Sequence, residues 1–198
     1  MTATPALLPV LHALRVQGVA DAGAVAGRAR LPRAAVEDLL LDAEAAGLVA
    51  RVPFAGPQDW SLTERGTTHG EELLAAELDA LGARIMVRDV LDGFGPLNDL
   101  VTRACTRWQL TELGLAEPPA PVAEVLRDLA RAAGGLAATE ARLADRLPRF
   151  AGYHTRFVAA LDLALDDRAW IAGIDRDSAH RVWFELHEDL LATLGARR

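Results

Sequence analysis

The sequence predicts a mainly α-helical protein, with three short helices closed by a two-stranded hairpin over residues 1–70 and an all-α body over 71–198. Three observations predict it. Apolar residues recur with a helical period in three consecutive blocks before Gly47. Two short β-prone runs, Leu48-Val49-Ala50-Arg51-Val52 and Trp60-Ser61-Leu62-Thr63, flank a tip of turn formers, Pro53-Phe54-Ala55-Gly56-Pro57. After Gly66 the pattern is helical almost without interruption.

The first helix is expected from Pro5 to Val16, because Leu7, Leu8, Leu11, Ala13 and Leu14 form an apolar stripe that Gly18 terminates. Asp21 stands as an N-cap for a second, Ala-rich helix, Ala22 to Ala29. Pro32 suits the first turn of a third. In that helix Val36, Leu39, Leu40 and Ala43 fall at i, i+3, i+4 and i+7 and face the core, which turns Arg33, Ala34, Glu37, Asp38 and Leu41 outward. Helices followed by a β-ribbon form a winged helix-turn-helix, which lays its third helix in the major groove of double-stranded DNA and its ribbon on the phosphates.

The residues at the hairpin carry a resemblance. Ala46-Gly47-Leu48-Val49-Ala50-Arg51 and Trp60-Ser61-Leu62-Thr63-Glu64-Arg65-Gly66 resemble the wing region of MarR-type winged-helix transcriptional regulators. Each word is short, and their joint spacing is the specific signal. The resemblance implies transcriptional regulation. The chain departs from such regulators at Glu37 and Asp38, where small polar or basic residues commonly meet the bases. A carboxylate accepts from cytosine N4 but repels phosphate.

The charge distribution narrows the expected DNA contacts. The formal net charge is −7. Residues 1–70 hold six Arg against seven acids, and 71–198 hold fifteen Arg against twenty-one. Between residues 15 and 36, however, Arg15, Arg28, Arg30 and Arg33 face only Asp21. This local basic patch coincides with the first turns of the reading helix, where a helix N-terminus also favours phosphate. The expected DNA-contacting set is Arg28, Arg30, Arg33, Ala34, Glu37 and Asp38 on the helices, with Arg51 and Gln58 on the wing.

The body is expected as helices over 67–81, 83–91 and 96–110, then 122–133, 138–147, 148–165 and 177–194. Asp92-Gly93-Phe94-Gly95 and Gly134-Gly135 read as breaks, and Glu117-Pro118-Pro119-Ala120-Pro121 as the clearest interruption. Pro96-Leu97-Asn98, Cys105-Thr106-Arg107-Trp108-Gln109 and the stretch from Val182 to Gly195 are similar to the C-terminal regions of actinobacterial winged-helix regulators. Asn98, Arg107, Trp108, Tyr153, Arg156, Trp183 and His187 combine flat apolar surface with hydrogen-bonding groups, as effector pockets do; the competing reading is a packed aromatic core. His154, His180, Glu185, His187 and Glu188 are metal-ligand types, but no His pair has i, i+4 spacing, so no metal site is expected.

Composition excludes other classes. With 51% apolar residues the chain can bury a sizeable core. No apolar run reaches the 18 residues of a membrane span and no N-terminal apolar run follows a basic flank, so a cytoplasmic protein is expected. Cys105 is the sole cysteine and has no partner for an internal disulfide. All 21 basic residues are Arg, a sign of a high-GC genome. No phosphate-binding Gly loop or Gly-x-Ser-x-Gly is present, and Ser178 reads as a helix cap, so neither catalysis nor a cofactor is expected. The expected function is a transcriptional regulator binding a palindromic operator as a homodimer, with a small-molecule effector held in the C-terminal body. The alternative is a degenerate winged helix that serves as a protein-interaction scaffold. The dimer elements are expected at 67–82 and 177–194.

Overall fold

A computed structural model describes residues 6–52 and 58–196. It is mainly helical with one small three-stranded antiparallel sheet. The expected tip at 53–57 lies outside the described residues. Two compact units emerge: one comprises residues up to 84 together with those from 188 onward, and the other comprises Ile85–His187. Among the described residues no helix is long and apolar enough to cross a membrane.

In the first unit α1 (Leu7–Gln17) buries Leu8, Val10, Leu11 and Leu14 and ends at Gly18, whose positive φ no β-branched residue would tolerate. β1 (Val19–Asp21) follows, and Asp21 then caps α2 (Ala22–Ala29), its Oδ1 accepting from Ala24 N at 2.8 Å. Arg30, in the left-handed region at φ 55°, turns the chain into α3 (Arg33–Ala45). Val36, Leu40 and Ala43 of α3 are buried against Val10, Leu14, Val25 and Trp60. β2 (Val49–Arg51) and β3 (Asp59–Leu62) pair antiparallel with Ala50 opposite Ser61.

The hairpin was expected to have two strands, and the sheet has three, in the order β1-β3-β2. β1 pairs Ala20 with Trp60, using the free edge of β3. Its three residues are too few to show an alternating pattern, and they sit between a helix stop and a helix cap.

α4 (Glu64–Leu81) leaves the sheet through Thr63, whose Oγ1 accepts from Gly66 N at 3.0 Å. Gly66 lies against β2: a Cβ there would sit 1.8 Å from the Leu48 carbonyl oxygen. The close approach of helix to strand therefore requires the missing side chain. Leu8, Leu74 and Ala192 form a further small buried cluster of this unit.

In the second unit α5 (Arg84–Glu112) runs through the stretch expected as a break at 92–95. Phe94 is buried there and stacks on Trp183 at 4.8 Å, so packing holds the helix where Gly93, Gly95 and Pro96 would weaken it. α6 (Val122–Ala144) likewise continues through Gly134-Gly135. A Cβ on Gly135 would meet the Leu97 side chain at 2.7 Å, so this glycine marks a helix–helix contact and not a stop. A 3₁₀ turn (Pro148–Phe150), α7 (Tyr153–Leu163), the short α8 (Ala169–Ala172) and α9 (Ala179–Leu194) complete the chain. Ser178 caps α9 by accepting from Arg181 N at 3.2 Å. α9 was expected to offer its apolar stripe to a second subunit. Of that stripe Val182, Trp183, Leu186 and Leu190 are buried within one chain and Leu191 and Leu194 are half-buried, while Phe184 beside them is exposed.

Two glycine substitutions test this account. Gly66→Ala should destabilise the chain by at least about 1–3 kcal/mol, the usual cost of overpacking. Gly27→Ala, at an exposed helical position with open space around it, should stabilise by about 0.5–1 kcal/mol. Urea unfolding followed by circular dichroism measures both; equal midpoints for the two variants would contradict the packing described at Leu48.

Candidate functional site

The exposed face of α3 is built by its own periodicity. With Val36, Leu40 and Ala43 buried, Arg33, Ala34, Glu37, Asp38 and Leu41 are exposed together. Arg33 Nε donates to Glu37 Oε1 at 2.8 Å, one helical turn on, and this bond holds the guanidinium above its ordinary pKa. Arg51 lies 3.7 Å from Glu44 and places its guanidinium 4.1 Å over the Trp60 ring. Arg30 and Gln58 are exposed. The expected DNA-contacting residues of α3 thus share one surface, and Arg33 and Arg51 already hold carboxylate partners on it.

Arg28 is placed differently. Its side chain is 10% exposed, and Nη2 donates to Asp189 Oδ2 at 2.7 Å. Asp189, from the last turns of α9, is fully buried within the same unit. Its Oδ1 also meets His12 Nε2 at 2.7 Å and accepts from Thr193 Oγ1 at 3.3 Å. A buried carboxylate is stable only when charged or hydrogen-bonding partners replace water, and here α1, α2 and α9 each supply one. Neither His12 nor Asp189 was singled out from sequence. The signal was present: both fall on apolar stripes, His12 between Leu11 and Ala13, and Asp189 three residues from Leu186 and Ala192. Two hydrogen-bonding groups on two buried faces are best satisfied by each other.

The set expected to line an effector pocket divides in the second unit. Trp183 is 3% exposed; its Nε1–H donates to Asn98 Oδ1 at 3.0 Å and its ring packs on Phe94 and on Phe157 at 5.7 Å. His187 stacks on Phe94 at 5.8 Å. Tyr153 is buried, and its hydroxyl donates to the Glu185 carbonyl at 3.4 Å. Arg156 bonds Asp177 and Glu185, each at 2.7 Å. Burial opposes the Arg156 charge, yet the hydrogen bonds to Asp177 and the attraction of Glu185 raise its pKa above the ordinary value. Arg107 pairs with Glu124 at 3.0 Å and Asp128 at 3.7 Å on α6. Trp108 is half-buried, with its Nε1 enclosed and without a hydrogen-bond partner among the described residues. Trp183, Asn98, Tyr153 and Arg156 are thus satisfied by the protein's own groups, as core residues are.

Among the described residues no three His, Cys, Asp or Glu side chains converge into a metal-binding group. Glu140 of α6 accepts from Gly152 N at 2.8 Å and His154 N at 2.6 Å, satisfying the first turn of α7. Searches with the chain against protein-family models, curated proteins and solved structures gave no match.

Two measurements follow from these burials. Asp189→Asn removes the buried carboxylate charge facing Arg28 and should cost about 3–5 kcal/mol; adding Arg28→Met should recover part of that loss, because an apolar replacement needs no countercharge. Strict additivity of the two substitutions in denaturant unfolding would refute the pairing. Cys105 is buried, and burial pushes its thiol up to about 12 from 9.0. A raised folded-state pKa means that its contribution to stability is complete below about 9 and declines as pH climbs from there toward 12. Iodoacetamide at pH 8 should leave Cys105 unmodified in the folded chain and alkylate it in guanidinium; stoichiometric alkylation of the folded chain would contradict this burial.

Proposed function

We propose that this chain is a DNA-binding transcriptional regulator of the winged helix-turn-helix type, with α3 as the reading helix and the β2–β3 ribbon as the wing. The observation that carries the reading is the exposed stripe on α3, beginning at Arg33 and Ala34 in its first turn, on a helix seated by Val36, Leu40 and Ala43 beside a β-ribbon. A helix of that exposure and a ribbon at its C-terminal end match the groove-and-backbone division of labour in such readers. Arg33 and Ala34 address base edges, Arg30 and Arg51 address phosphate, and Gln58 stands at the wing. Arg28 supports the head from inside through Asp189 and is not counted among the phosphate contacts.

The protein acts as a homodimer on a palindromic operator, since two-fold operator symmetry requires two-fold protein symmetry. The second unit carries exposed apolar side chains at one end of α5, Leu113 and Leu115, that a partner subunit would cover. An effector in the body acts by binding there and shifting operator affinity.

One observation favours a second reading, a scaffold that docks protein. The exposed face of α3 carries Glu37, Asp38, Asp42 and Glu44 against a single Arg33. Phosphate repels that balance. Fluorescence anisotropy with the DNA upstream of the chain's own gene separates the readings. Regulation predicts saturable, salt-dependent binding that Arg33→Ala weakens by about 1–3 kcal/mol, while Arg51→Ala weakens binding to all sequences and lowers the salt slope by about one. Glu37→Gln should tighten binding by freeing Arg33. Absence of salt-dependent binding in wild type and Glu37→Gln alike supports the scaffold.

A further inference from the structure

The first unit contains a groove of about 580 Å³ lined by Ala46, Leu48, Arg65, Thr68, His69 and Glu72. Its walls come from two elements that cannot easily separate. Ala46 and Leu48 flank Gly47, the left-handed residue at φ 70° that links α3 to β2. Arg65, Thr68, His69 and Glu72 lie at i, i+3, i+4 and i+7 on α4 and so form one stripe. Thr63 Oγ1 bonds the Gly47 carbonyl at 2.7 Å and the Leu48 carbonyl at 3.1 Å, and Gly66 leaves no gap beneath Leu48. The groove is therefore preformed, and its volume falls within the range of small-molecule sites, roughly 300–1,000 Å³.

The polar groups of the groove are not equivalent. Arg65 has no hydrogen bond or ion pair among the described residues, and its Nη1 stands 3.8 Å from where a Cβ of Gly47 would be, over the linking turn. The Thr68 hydroxyl donates to the Glu64 carbonyl at 3.2 Å and has no proton left to offer. Glu72 lies 3.5 Å from His69 Nδ1. The Arg65 guanidinium is thus the group of this groove suited to an anion, with apolar Ala46 and Leu48 beside it. Glu72 closes the stripe with a negative charge that disfavours a dianion.

We propose that this groove binds a small monocarboxylate with a short aliphatic body, Arg65 gripping the carboxylate through paired N–H donors and Ala46 and Leu48 receiving the hydrocarbon. Bidentate contact with a planar carboxylate is what an unpartnered guanidinium does best. The ligand would rest on the turn joining α3 to β2; its binding does not rest on the regulatory reading.

An NMR titration of the full ¹⁵N-labelled chain with sodium hexanoate tests it, with inorganic phosphate and sodium chloride at matched ionic strength alongside. Hexanoate should produce saturable shifts at the Gly47, Leu48 and His69 amides. Arg65→Ala and Arg65→Gln should weaken binding at least about tenfold, and Glu72→Gln should tighten it about two- to threefold by removing a repelling charge. Arg65 is exposed, so an otherwise unchanged spectrum shows that these variants fold. Unaltered affinity in both Arg65 variants, shifts centred elsewhere, or no saturation by about 50 mM hexanoate would each overturn the proposal. Tighter saturation by phosphate at the same amides would overturn the carboxylate assignment. All these readouts use protein alone, so a failure of DNA binding leaves them intact.

Discussion

The first unit is organised round one buried carboxylate. Asp189 has no exposure, and water can solvate none of its charge. Its partners include His12 on α1, Arg28 on α2 and Thr193 on its own helix. The energetic meaning of such a group is asymmetric. An apolar replacement of the whole cluster could be as stable, but removal of one member leaves an uncompensated charge inside the fold. The cluster ties the end of α9 to α1 and α2, beside the apolar contact of Leu8, Leu74 and Ala192. Residues from both parts of the chain, those up to 84 and those from 188 onward, thus lie in one compact unit.

Local signals were legible where they act within a few residues. Asp21 and Ser178 as caps, Gly18 and Gly47 as stops and the apolar stripe of α3 were readable because each works through the backbone beside it. Misreadings occurred where tertiary packing overrides a local preference. Gly93, Phe94, Gly95 and Pro96 carry the composition of a break, yet Phe94 stacks on Trp183, eighty-nine residues on, and the helix continues. Gly134-Gly135 misled for the same reason, since Leu97 fills the space that Gly135 vacates. β1 was illegible because a strand of three residues has no period to detect.

For the candidate sites, sequence could group residue types but not assign them partners. Trp183, Asn98 and His187 do gather round Phe94, while Arg107 is drawn to Glu124 and Asp128. What a list of aromatic and polar residues cannot reveal is whether their hydrogen-bonding capacity is already spent. The Trp183 N–H is spent on Asn98 and the Arg156 guanidinium on Asp177 and Glu185. Unspent capacity lies at the Trp108 N–H and, outside that set, at Arg65.

The same accounting shapes the proposed encounter with DNA. A guanidinium that leaves Glu37 or Glu44 for a phosphate exchanges one anion for another, so the gain per contact is smaller than for a solvated arginine. The abandoned carboxylate also remains near the phosphates and repels them. Affinity built this way is small on any sequence where the exchange is not completed by a base contact, because only base-edge hydrogen bonds offset the stranded acid. Under the proposed function, the acidic face of α3 would thus select against nonspecific binding more strongly than it weakens specific binding. Arg28 lies outside this exchange, since its carboxylate is buried and cannot turn to solvent when the guanidinium departs. On this view the arginine that fixes the reading head is electrostatically separate from those that use it.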